Sequence, residues 1–195
     1  MDLYRNLAIQ AKVVGLCDLM RAHPTRLVLA ESCSAGLVAA LLGHVPGISE
    51  FLCGSMVVYQ TPIKNQWLGI SSEDLADPSI GPVSDRVTEA LAKAILERTP
   101  QANLAASITG HLGPFAPPAL DGVVFCSIVT RAVEDHHSET KKASIVFTKR
   151  FQLSEEAPRD LNDFERRRSR QYESAVRLIE HITNFLTGQK ATESL

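Results

Sequence analysis

Four kinds of side chain in this sequence could together hydrolyse an amide without a metal. A serine hydroxyl, from Ser32 or Ser49, could act as nucleophile, and Lys64, Tyr59 and Thr109 could supply a proton acceptor and oxyanion or proton-carrying groups. A lysine works as a base only when neutral. With an ordinary pKa near 10.4, about one lysine in 10³ is neutral at pH 7, so Lys64 must be desolvated or lie beside another cation. Its commoner fate would be a solvated position on a helix, and Tyr59 could equally be a core aromatic with a satisfied hydroxyl.

Residues Glu31 to Gly36 read ESCSAG, between the apolar run Leu27-Val28-Leu29-Ala30 and the helix-like Leu37 to Leu42. A strand, a turn of small residues and a helix start are expected there. The first N–H groups of a helix lack intrahelical partners, so such a junction suits an anion or a developing negative charge. Ser32 or Ser34 could also simply cap the helix. Ser32 stands where nucleophile-elbow proteins expose theirs, which makes it the rival of Ser49. The six histidines form no H-E-x-x-H or similar spacing, so no metal site is expected. His136-His137 falls in a charged turn and reads as surface.

Beyond ESCSAG come Pro46-Gly47-Ile48-Ser49, Tyr59 with Lys64 five residues later, Leu68-Gly69-Ile70, Pro82-Val83-Ser84 and Ile108-Thr109-Gly110. In this order the blocks resemble the C-terminal domain of the CinA family, from about Val28 to Phe125. That domain is known as a nicotinamide mononucleotide deamidase. The resemblance implies a cofactor-free enzyme that converts the carboxamide of a small pyridine nucleotide to the acid plus ammonia through a Ser/Lys acyl-enzyme. It implies Ser49 as nucleophile, Lys64 as general base, Tyr59 as proton relay or orienting group, and Thr109 as the hydroxyl of a T-G motif. Ser32, Ser34 and Gly36 then bind polar substrate groups or the 5′-phosphate at the helix N-terminus, with Gly110 and Arg168 also on the substrate. Self-association into a homo-oligomer would be in keeping with the family.

The sequence departs from the family pattern between His111 and Leu120, where glycines give way to Pro114, Pro117 and Pro118, which lack N–H donors. This leaves a second reading, a nucleotide-binding homologue that has lost turnover.

The elements that must position these groups are legible. Leu3 to Ala22 has apolar residues at Leu3, Leu7, Ala8, Ala11, Val14, Leu16 and Leu19, which predicts an amphipathic helix ended by His23-Pro24. Strands are expected at Phe51 to Tyr59, Leu104 to Thr109, Gly122 to Arg131 and Ala143 to Arg150. Helices are expected at Pro62 to Leu68, from Ser71-Ser72, from Ser84 to about Arg98, and from Pro158 to about Leu186. Gly110 to Asp121 must be a loop, Glu134 to Lys142 an exposed turn, and Gly188 onward a frayed tail. Strands alternating with helices predict one α/β domain over 1–195, a three-layer α/β/α sandwich with a mixed, mostly parallel sheet. Its ligand should sit at the carboxyl ends of the strands, near Ser32, Thr109 and the loop after Gly110.

Composition sets outer bounds. Twenty basic against 22 acidic residues gives a net charge of −2, which offers no field for nucleic acid or an anionic membrane. The run Arg166-Arg167-Arg168 with Arg170 reads as a solvated face or an anion clamp. The four cysteines, Cys17, Cys33, Cys53 and Cys126, show no C-x-x-C spacing and are expected reduced. With no apolar run of signal or membrane-span length, a cytoplasmic protein is expected.

Overall fold

The computed structural model describes residues 3–131, 146–154 and 162–188. The turn expected at Glu134 to Lys142, the His136-His137 pair, Pro158 and the tail from 189 onward lie outside them.

Five strands form one sheet: β1 (Leu27–Glu31), β2 (Leu52–Val57), β3 (Leu104–Gly110), β4 (Val123–Thr130) and β5 (Val146–Gln152), in the order β2-β1-β3-β4-β5. β1 runs parallel to both β2 and β3, and β4 runs antiparallel to β3 and β5, so the sheet is mixed with a parallel centre. Cys53 is an extra residue in the β1–β2 register, which steps from Leu27 opposite Leu52 to Val28 opposite Gly54.

The period-2 alternation of strand side chains divides the core in two. Leu27, Leu29, Leu104, Ala106 and Ile108 pack with helices α1 (Leu3–Ala22), α2 (Leu37–Leu42) and α6 (Asp163–Leu186). Val28, Ala30 and Ala105 pack on the other face with α3 (Thr61–Leu68), α4 (Ser72–Ala76) and α5 (Asp85–Glu97). That is the expected three-layer sandwich.

Helix starts follow short polar side chains. Ser71 Oγ accepts from Asp74 N–H, Ser84 Oγ from Val87 N–H, and Asn162 Oδ1 from Glu165 N–H, each supplying a partner for a first-turn donor. Pro62 sits in the first turn of α3, and Gly69 closes that helix at φ +71°.

The face of α1 differs from the expected one. Its buried side chains are Ile9, Val13, Leu16, Cys17 and Met20, while Leu7 and Val14 are exposed. The helix is apolar almost all round, so spacing alone did not single out the inner stripe.

Candidate active site

The carboxyl ends of β1, β2 and β3 share one rim of the sheet, and most of the chemically capable residues collect there. Lys64 on α3 is 2% exposed. Its Nζ donates to the carbonyl of Pro82 at 2.7 Å and meets no carboxylate among the described residues. Burial lowers its pKa to about 8. At pH 7 this raises the neutral fraction to about one in ten, the condition that a lysine base requires.

Lys64 acts on two neighbours that the sequence reading did not single out. Burial lowers the pKa of His111, and the charge of Lys64 lowers it further. Cys33 is pushed up to about 12 by burial, against the pull of Lys64, so its thiol stays protonated and is no nucleophile at neutral pH. All four cysteines are free thiols.

The turn after β1 is occupied from within. Glu31, fully buried, accepts from Ser34 Oγ at 2.8 Å, Val38 N–H at 3.0 Å, Ala39 N–H at 3.0 Å and Ser55 Oγ at 2.9 Å. Two N–H donors of the first turn of α2, those of Val38 and Ala39, thus face an internal carboxylate, and the Ser34 hydroxyl donates to the same group. Ala35 at φ +52° and Gly36 at φ +89° make the left-handed bend that lets Glu31 fold under the helix. Ser32 is nearly buried at the end of β1, and its hydroxyl makes no hydrogen bond among the described residues.

Thr109 is fully buried. Thr88 Oγ1 donates to the carbonyl of Ser84 at 2.5 Å, so Thr109 Oγ1 donates to Thr88 Oγ1 at 2.7 Å and has no proton left for a ligand. Thr109 thereby ties β3 to α5. Gly110 is also packed: a Cβ there would stand 2.6 Å from Val124 Cγ2 and 3.1 Å from Cys33 Sγ, so the missing side chain makes room for these neighbours.

Tyr59 is half exposed, and its hydroxyl accepts from Arg167 Nη2 at 2.6 Å. Arg167 Nη1 donates to the carbonyl of Gly113 at 2.5 Å, bridging Tyr59 to the segment after β3. Buried Arg170 pairs with Asp121 at 2.7 Å and holds the other end of that segment, which contains a short 3₁₀ turn at Pro118–Leu120. Arg168, the arginine expected on the substrate, is exposed; with Ser34, Gly36, Phe164, Arg167 and Gln171 it lines a cavity of about 510 Å³ between α2 and α6. The guanidinium in contact with Tyr59 is that of Arg167.

Ser49 stands apart. It is exposed on the 3₁₀ turn Ile48–Glu50, ahead of the amino end of β2, whereas Tyr59 and Lys64 follow its carboxyl end. Six residues of strand separate the two ends, roughly 20 Å. Within one chain, therefore, Lys64, Tyr59 and Ser32 share the rim and Ser49 does not.

The chain matches the family described as the CinA C-terminal domain over residues 9–151. It is 38% identical over 104 residues to a CinA-like protein of Nostoc sp., covering 53% of this chain and 23% of that protein. It is 32% identical over 121 residues to a CinA-like protein of Myxococcus xanthus, covering 61% and 28%. The chain thus spans about a quarter of the length of these curated relatives. Among solved structures, a CinA superfamily protein of Klebsiella pneumoniae superposes with a TM-score of 0.74 at 20% identity, covering 92% of this chain and 98% of that one. The competence/damage inducible protein CihA of Agrobacterium tumefaciens gives 0.68 at 24% identity, covering 88% and 94%.

Proposed function

This chain belongs to the CinA C-terminal domain family, and from that premise we propose that it is an amidohydrolase that releases ammonia from the carboxamide of nicotinamide mononucleotide or a closely related pyridine nucleotide. The observation that carries the reading is Lys64, an amine buried without a carboxylate and brought down to about pKa 8. In the proposed reaction the neutral Lys64 amine takes the proton of a serine hydroxyl as that oxygen attacks the carboxamide carbon. The ammonium then returns the proton to the departing nitrogen, and water hydrolyses the ester in a second, similar step. Tyr59, oriented by Arg167, is the relay. The serine is Ser49 by family resemblance, with Ser32 as the rival already on the rim.

Purified protein incubated with nicotinamide mononucleotide should release ammonia, and Lys64→Ala should lower kcat/KM by at least about 10²-fold. Undiminished turnover in that variant would remove the proposed base. A second reading, a binding module without turnover, is favoured by one observation: Pro114, Pro117 and Pro118 leave the segment over the site short of N–H donors. It predicts thermal stabilisation by the nucleotide with no product formed.

A further inference from the structure

Hydrolysis of a carboxamide gives a carboxylate, ammonia and one proton, so each cycle in which the nitrogen departs as ammonia leaves a proton behind. The acid formed in the second step, with a pKa of about 4, ionises beside the Lys64 amine, and the proton ends there. Lys64 cannot act again until it loses it. Yet Lys64 is 2% exposed, and its Nζ donates to the carbonyl of Pro82, a group that holds a proton in a hydrogen bond but does not carry it away. Cys33, a titratable neighbour of Lys64, is a protonated thiol and accepts nothing.

His111 stands where the proton can leave. Its backbone is pinned to the start of β4 from both sides: its N–H donates to the Val123 carbonyl at 2.9 Å, and its carbonyl accepts from Gly122 N–H at 2.8 Å. Thr109 turns to α5 through Thr88, and Gly110 faces Cys33 and Val124 on the opposite layer. Alternation therefore returns His111 to the face of α3, which carries Lys64. Two charges act on its ring, Lys64 from α3 and Asp121 from the segment ahead of β4. Burial and the charge of Lys64 hold the ring below its usual pKa, so at pH 7 it is neutral and free to accept. Exposure rises along this row, from 2% at Lys64 through half-buried His111 to 41% at the side chain of Asp121, which Arg170 holds at 2.7 Å. His111 also opens the stretch that departs from the family pattern, so the resemblance assigns it no role.

We propose that His111 is the proton exit of the site, accepting the proton of the Lys64 ammonium and passing it to water at the side of Asp121. An N–H bond of the ammonium breaks as one forms at a ring nitrogen, the proton then goes to water, and nothing is oxidised or reduced. His111 acts through Lys64 and touches no reacting atom.

The exit role rests on the proposed reaction, whereas the coupling of the two side chains does not. In NMR titrations of the full chain the His111 ring should titrate below 6.5, and in Lys64→Met its midpoint should rise, because a positive charge has been removed. An unchanged midpoint in a folded Lys64→Met chain overturns the coupling and the proposal with it. In turnover, His111→Gln should lower kcat by at least about 10-fold, with KM within about two-fold of wild type. Added imidazole should restore kcat of this variant and leave the wild type unchanged. A loss that imidazole does not relieve marks a structural role and overturns the proposal, as does an undiminished kcat. Should His111→Gln misfold, the NMR comparison, which leaves His111 in place, still decides the coupling. If the wild type releases no ammonia while the midpoint still responds to Lys64→Met, the proposed reaction is at fault, and the exit role falls with it.

Discussion

Lys64 has two consequences of opposite sign. Its folded pKa, near 8, lies below the ordinary 10.5, so the folded state is penalised when this group is charged. The penalty is full below about pH 8 and fades as pH rises towards 10.5, where the unfolded chain also loses the proton. Lys64→Met should therefore raise stability at pH 7, by up to about 3 kcal/mol, while abolishing turnover. The gain should shrink between pH 8 and 10.5, and denaturant titrations at three pH values would measure it. A variant less stable than wild type at neutral pH would show that the bond to Pro82 outweighs desolvation. Its spacing from Tyr59, which resembles the family pattern, is what drew attention to Lys64 in the sequence; that its amine would be buried was not legible there. That Arg167 is the arginine in contact with Tyr59 was not legible, for a helical reason. Successive residues of Arg166-Arg167-Arg168 are about 100° apart around the axis, and nothing local says which one faces Tyr59. Glu31 was overlooked because a carboxylate at the end of an apolar strand gives no sign of which donors the later turn will bring to it.

At the level of elements, polar caps and prolines made boundaries legible: His23-Pro24 ends α1, and Ser71 and Ser84 start α4 and α5 as expected. The location of Ser49 was not legible, since the end of the sheet at which a loop lies depends on strand direction, which a lone strand pattern does not encode. The seam between α6 and β5 offers a separate test. His181 on α6 stacks on Phe147 with ring centroids 4.9 Å apart and lies edge-on to Phe151, and burial lowers its pKa to about 4. The folded state thus binds this proton less readily than the unfolded chain, whose histidine titrates near 6.5. Stability from the neutral ring is complete above about pH 6.5 and is lost as pH falls towards 4, by up to about 3 kcal/mol. His181→Phe should flatten this acid limb in thermal melts from pH 7 to 4. A limb of unchanged slope would assign acid sensitivity to other groups.

The whole molecule is one sheet with an apolar layer on each face, so neither layer persists without the strands they share. Leu91→Ala on α5 and Leu178→Ala on α6 remove fully buried side chains from opposite layers. Each should cost about 2–5 kcal/mol. Both should move the same single unfolding transition, followed by circular dichroism and fluorescence. Two separated transitions in either variant would show that the layers unfold independently.

The internal anion under α2 bears on how the proposed reaction ends. Converting a carboxamide to a carboxylate adds one negative charge to the ligand, while Glu31 is already fixed by four donors and cannot swing aside to accommodate it. The same field that tolerates a pyridinium on arrival would repel the acid that leaves, making turnover self-clearing. Its signature would be an inhibition constant for the product well above the KM of the substrate, and tight product inhibition would argue that this buried charge is not felt by the ligand.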